Sequence, residues 1–202
     1  MKNSELCDKL NKMIPNPHCE LNYQKDYELV IAVMLSAQCT DKRVNMVTKN
    51  LFNNRSLEDI SNLEIKDIEI IIHSLGSYTK KAMYVKGIAQ RLLEDNNGIV
   101  PNDQKYLESL PGVGRKSSNV IRAELFDEPT IAVDTHVERV SKRIGLAKEK
   151  DDVLTIEKKL SKFFNKEDYN RVNHQLVLFG RYICKAVKPD CENCLIKCKH
   201  AK

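Results

Sequence analysis

The chain has 202 residues, 42% hydrophobic and 30% charged, the composition of an ordinary globular protein with one core or two small ones sharing a cleft. Its formal charge of +5, from 33 basic and 28 acidic residues, is compatible with a nucleic-acid partner without establishing one. No apolar run is long enough to span a bilayer and the first residues lack a signal peptide, so we expect an intracellular protein with reduced thiols and no membrane partner.

Read in chain order, the pattern is helical. Residues 26–37 hold Leu29, Val30, Val33 and Met34 at three- and four-residue spacings, which predicts one apolar helix face. Thr40 and Asp41 offer a cap for a second helix with Val44, Val47 and Leu51 on one side. Further helices are predicted over 66–75, through Ile68, Ile71 and Ile72, and over 80–93, through Ala82, Val85, Ala89 and Leu92. Gly76 and Asn96-Asn97-Gly98 read as breaks. No alternating strand pattern and no fixed-period repeat emerges, so the predicted fold class is all-α.

Leu110-Pro111-Gly112-Val113-Gly114 then predicts a tight turn, because Pro111 fixes one backbone angle and two glycines relax others. A helix over 115–124 follows, with Val120 and Ile121 inward. A glycine turn feeding a helix exposes N–H groups at the positive end of the helix dipole, a ready place for a phosphate. Taken alone, such a fragment is more often a plain turn between helices. Asp134 follows the apolar run Ile131-Ala132-Val133 and precedes a helix with Val137, Val140 and Ile144 on one face, which makes it an N-cap. His136, close by, reads as a structural hydrogen-bonding group. Cys184, Cys191, Cys194 and Cys198 place four soft ligands within fifteen residues, a set that suits a zinc ion or an iron–sulfur cluster equally well by spacing.

Leu110-Pro-Gly-Val-Gly-Arg-Lys116, then Ile131-Ala-Val-Asp-Thr-His136, then the cysteine-rich end, resemble the endonuclease III family of helix-hairpin-helix DNA glycosylases. Met34-Leu-Ser-Ala-Gln-Cys-Thr-Asp41 resembles an early helix of that family, and the likeness runs in one order over residues 27–198. It implies a two-lobed helical fold: residues 22–131 carry the helix-hairpin-helix at about 104–123, and residues 1–21 join 132–202 around a 4Fe-4S cluster. Double-stranded DNA with a damaged pyrimidine or an abasic site would lie across the groove between them.

The same resemblance makes Lys116 the catalytic amine and Asp134 its carboxylate partner. Leu110, Gly112, Val113, Gly114 and Arg115 become the phosphate-gripping hairpin, and Gln38 the group that fills the gap left by an extruded base. A nucleophilic lysine must be deprotonated, which a helix N-terminus and partial burial would both favour. A carboxylate held as an N-cap stays ionised and can stabilise positive charge developing on a deoxyribose. The implied activity is that of a bifunctional N-glycosylase and abasic-site lyase removing oxidised pyrimidines. A mismatch-specific glycosylase, a non-catalytic DNA-binding module and a zinc-binding adaptor are the rivals. A monomer is expected, associated with the nucleoid in the cytoplasm if the source is bacterial.

Two departures from the family pattern stand out. The last two cysteines are separated by three residues where the family has five, and five would reach His200; Cys198 is the favoured fourth ligand. In the Gly76-Ser77-Tyr78 loop, Ser77 occupies the place of a bulky apolar wedge and is too small for it, which leaves Tyr78 or another residue to serve, or an enzyme that reads the opposite strand loosely.

Overall fold

The computed structural model describes residues 2–198, and among these it contains eleven α-helices, one 3-10 turn and no strand. No helix among the described residues is long and apolar enough to cross a membrane. The all-α expectation holds. The chain forms two compact units: Glu20–Phe126, and the residues up to Cys19 together with those from Asp127 onward.

The Glu20–Phe126 unit is built on α2 (Asp26–Leu35), where every residue from Tyr27 to Leu35 is buried. The spacing of Leu29, Val30, Val33 and Met34 predicted one apolar face. Instead the whole helix is enclosed, because α3 (Asp41–Phe52), α6 (Tyr78–Asn96) and α8 (Arg115–Phe126) pack on it from different sides. It also stops two residues short of the predicted end. Ser36 Oγ donates back to the Val33 carbonyl at 2.8 Å, and Gln38 adopts a left-handed φ of 58° that no helix continues through.

The short helices α4 (Leu57–Asn62) and α7 (Gln104–Ser109) are fixed by their caps. Ser56 and Asp59 form a reciprocal capping box, and Asp103 accepts from the Tyr106 N–H at 2.8 Å. Helix α5 (Ile65–Ile72) buries Ile68 and Ile72. Helix α6 runs three residues past its predicted end and closes at Asn97, where the Gly98 and Asn97 N–H groups bond to Leu92 and Leu93 carbonyls at 2.8 and 3.1 Å.

The second unit packs α1 (Asn3–Met13), α9 (Thr135–Arg143), α10 (Val153–Phe163), a 3-10 turn (Lys166–Asp168) and α11 (Tyr169–Tyr182) around Leu6, Leu10, Val137, Val140, Ile156, Leu160, Leu176 and Phe179. Helix α11 is its spine. Buried Gln175 donates to Asn11 Oδ1 at 2.9 Å and to the Ile14 carbonyl at 3.1 Å, which fastens α1. Asn173 accepts from the Ala132 N–H at 3.0 Å and Asn170 donates to Asp127 at 2.8 Å, which fastens the segment leading to α9. These bonds, and burial of Ile131 and Val133 in this core, explain why the unit takes the chain from Asp127 rather than from residue 132.

Helices α9 and α11 approach so closely that a Cβ on Gly180 would lie 2.8 Å from His136 Cβ and 3.3 Å from its Cα. Gly180→Ala therefore destabilises the protein by about 1–3 kcal/mol, despite the better helix propensity of alanine. The midpoint of urea denaturation measures this.

Candidate active site

Between α7 and α8 the chain makes the turn predicted from its sequence. Leu110 and Val113 are buried and anchor it, with the Val113 N–H bonded to the Leu110 carbonyl at 3.1 Å. Both are almost wholly buried, so they shape the turn and offer a ligand little surface of their own. Gly112, Gly114 and Arg115 are exposed. Helix α8 opens at Arg115, with its first bond running from the Ser118 N–H to the Gly114 carbonyl at 2.9 Å. N–H groups ahead of that point have no acceptor within the helix.

The two glycines differ in what they do. Gly112 has φ +75°, and a Cβ there would meet the Tyr84 ring at 2.5 Å and Met34 Cγ at 3.0 Å. Gly114 has no such backbone demand and nothing within 4 Å, so the fold itself does not require a glycine there. Only one of the pair is needed to make the turn. Helix α6 supports it from beneath: Tyr84 lies under Gly112, Gly87 lies under Pro111, and Arg91 donates to the Ser109 carbonyl at 2.8 Å.

Lys116, in the first turn of α8, is exposed. The partial burial expected from sequence is therefore not supplied by the protein alone. Gln38 is exposed at the crest of the turn that follows α2. Ser77 is exposed with φ 56° at the start of α6, and Tyr78 beside it is 41% exposed.

Asp134 belongs to the other unit and caps α9. Its Oδ1 accepts from the His136 and Val137 N–H groups, both at 2.8 Å, while Oδ2 accepts no hydrogen bond among the described residues. The carboxylate is thus fixed by one oxygen and presents the other. His136 Nδ1 lies 3.2 Å from an Arg139 nitrogen that can only donate, which places the ring proton on Nε2. Burial, reinforced by Arg139, holds the His136 pKa below its ordinary value against the opposing effect of Asp134. It is a neutral packing group.

The four cysteines of the tail form no disulfide and share one neighbourhood. Burial pushes the Cys194 thiol up, and the neighbouring sulfurs of Cys184, Cys198 and Cys191 push it the same way. Sulfurs that oppose one another's ionisation are the donor set that bound cations relieve. Among the described residues, no three His, Cys, Asp or Glu side chains are arranged to hold a single metal ion. His200 lies outside the described residues.

Sequence reasoning did not find the residues that carry this loop. Arg139 donates to the Cys184 and Gly180 carbonyls at 3.2 and 2.8 Å, and Arg143 donates to the Lys185 and Ala186 carbonyls at 2.7 and 3.2 Å. Their four-residue spacing on α9 was the available signal. From the glycine geometry, Gly112→Ala costs about 2–4 kcal/mol of stability, whereas Gly114→Ala changes it by no more than about 0.5 kcal/mol. Denaturation midpoints of the two variants separate them.

Residues 31–166, more than half of the chain, match the HhH-GPD superfamily of base excision DNA repair proteins. Endonuclease III of Bacillus subtilis is 46% identical over 196 residues, which are 96% of this chain and 90% of that protein. Endonuclease III of Escherichia coli K12 is 41% identical over 197 residues, 97% of this chain and 93% of that protein. A solved endonuclease III, trapped as a covalent intermediate with DNA, matches with a TM-score of 0.94 and 42% identity, covering all of this chain and 97% of its own. With relatives this similar across nearly its whole length, the chain belongs to the endonuclease III family of the HhH-GPD superfamily.

Proposed function

We propose that this protein is a DNA glycosylase and abasic-site lyase of base excision repair, acting on oxidised pyrimidines in double-stranded DNA. The observation that carries this is its full-length likeness, at 42% identity, to an endonuclease III caught covalently bound to DNA. The exposed residues Gly112, Gly114 and Arg115, opening a helix, support a phosphate grip beside the lesion. Gly114, with no neighbour within 4 Å, leaves room for the DNA backbone to come close.

In this reading the target nucleotide leaves the stack, Gln38 enters the gap, and the Lys116 amine attacks the sugar carbon as the base departs. Loss of the base and ring opening give an imine between Lys116 and the sugar. Removal of an adjacent sugar proton then expels the 3′ phosphate by β-elimination, and water releases the enzyme. Asp134, held through Oδ1, offers Oδ2 to the positive charge that grows on the sugar.

Lys116→Gln is expected to abolish the covalent adduct that borohydride traps on a duplex containing an abasic site or thymine glycol. An undiminished adduct from that variant moves the nucleophile elsewhere. Asp134→Asn is expected to bind the duplex normally and remove the base on the order of a hundredfold more slowly in single-turnover assays.

For the tail, Cys184, Cys191, Cys194 and Cys198 are the thiolates that would hold a 4Fe-4S cluster, with Arg139 fixing the carbonyl of the first of them and Arg143 those of the next two residues. Such a cluster supplies rigidity to a segment with no helix of its own. The purified protein should be brown and release iron and sulfide in equal amounts. Cys198→Ala should lose the cluster and His200→Ala keep it; the opposite result makes His200 the ligand, and colourless protein containing zinc removes the cluster altogether.

A further inference from the structure

Helix α6 contains a lysine for which the reaction above has no use. Lys81 is only 6% exposed. Its Nζ donates to the Leu35 carbonyl at 2.9 Å, to the Ala37 carbonyl at 2.9 Å and to Cys39 Sγ at 3.3 Å. A lysine has three donors, so each has an acceptor.

The placement is costly by itself. The first turn of α6 contains Lys80 and Lys81 and no acidic residue, at the helix end where the dipole disfavours cations. Burying a lysine head adds a desolvation cost. One of the three contacts, to Leu35, closes the C-terminus of α2 in the ordinary way. The other two lie beyond the helix, on the residues immediately before and after Gln38.

Gln38 itself is exposed and has φ 58°, a conformation that a residue with a side chain keeps only when its surroundings impose it. The Cys39 N–H, bonded to the Ser36 carbonyl at 3.0 Å, closes the turn locally, and Lys81, gripping both neighbours of Gln38, adds a constraint from outside it. It also sits four residues past Ser77, in the helix that the Gly76–Tyr78 loop feeds. The lysine thus joins the Gln38 turn to that loop.

We propose that Lys81 is a positioning residue that holds the Ala37–Cys39 turn in the shape Gln38 needs to enter the gap left by an extruded nucleotide. This rests on the reading of the protein as a base-extruding glycosylase. Residues of the turn are not chemically altered by it; Lys81 acts by holding the Ala37 carbonyl and the Cys39 side chain in place.

The test uses the full chain and a duplex with a non-cleavable abasic analogue opposite 2-aminopurine, whose fluorescence rises when it is unstacked. Wild type is expected to raise the signal, and Gln38→Ala and Lys81→Met each to lose most of the rise while still binding the duplex by anisotropy. In single-turnover base removal from a thymine glycol duplex, each variant should be about tenfold slower. The double variant should be no slower than Gln38→Ala alone, because the two residues act as one unit. Multiplicative losses in the double variant, or a full fluorescence rise with Lys81→Met, overturn the proposal. Should Lys81→Met not fold, Lys81→Gln, one bond shorter but still a donor, is judged by the double variant alone: a loss that multiplies that of Gln38→Ala overturns the proposal. Wild type that neither removes the base nor forms a trapped adduct would instead bring down the enzymatic reading itself.

Discussion

One helix of the Glu20–Phe126 unit has no solvent face, and that constraint organises the rest of the unit. Helix α2 is buried from Tyr27 to Leu35, and side chains of the fold satisfy backbone groups at both of its ends. Two buried charged residues do this. Glu28 accepts from the Gln24 and Lys25 N–H groups at 2.7 and 3.4 Å, and Lys81 reaches the Leu35 carbonyl from α6. Once Lys81 is committed there, α6 is fixed in rotation, and Tyr84, Gly87 and Arg91 fall along the same side of it, at helical spacing, under the hairpin. A single helix face therefore sets both the turn bearing Gln38 and the turn bearing Gly112.

The other unit uses the same economy. Helix α11 fastens α1 through Gln175 and the approach to α9 through Asn173, both buried amides with backbone or side-chain partners. Helix α9 then has two tasks at its two ends. Asp134 caps its start, and Arg139 and Arg143 further along hold the carbonyls around Cys184. Gly180 lets α9 and α11 approach closely enough for those arginines to reach.

How much of this the sequence revealed follows from the range of each interaction. Apolar spacing locates α2, α3, α5 and α6, and local chemistry locates the caps at Thr40 and Asp134 and the stop at Asn97. Those signals involve residues within a turn of each other. Periodicity could not tell that α2 is enclosed on all sides, since enclosure depends on which helices return to it from distant parts of the chain. The hairpin was legible as a turn, but its two glycines looked equivalent; the left-handed φ of Gly112 and its contacts with Tyr84 and Met34, far apart in sequence, distinguish them. Lys81 did leave a trace. It stands at the spacing of Val85, Ile88 and Leu92, on the face that should be buried, where a lysine requires an explanation.

The exposure of Lys116 bears on when a lysine of this kind can react. Its place at the head of α8 was readable from sequence, but the burial assigned to it was not there. If Lys116 is the nucleophile, the dry surroundings that favour attack have to come from the DNA laid over the hairpin. Such an arrangement ties reactivity to occupancy: the amine is bathed in water until a duplex is gripped and a nucleotide is out of its stack. If Gln38 fills the gap, it would then do more than stabilise the extruded state, by lengthening the time for which the amine and the sugar are kept from solvent. Rigidity in the turn around Gln38 would consequently appear in the rate of base removal more than in the affinity for DNA.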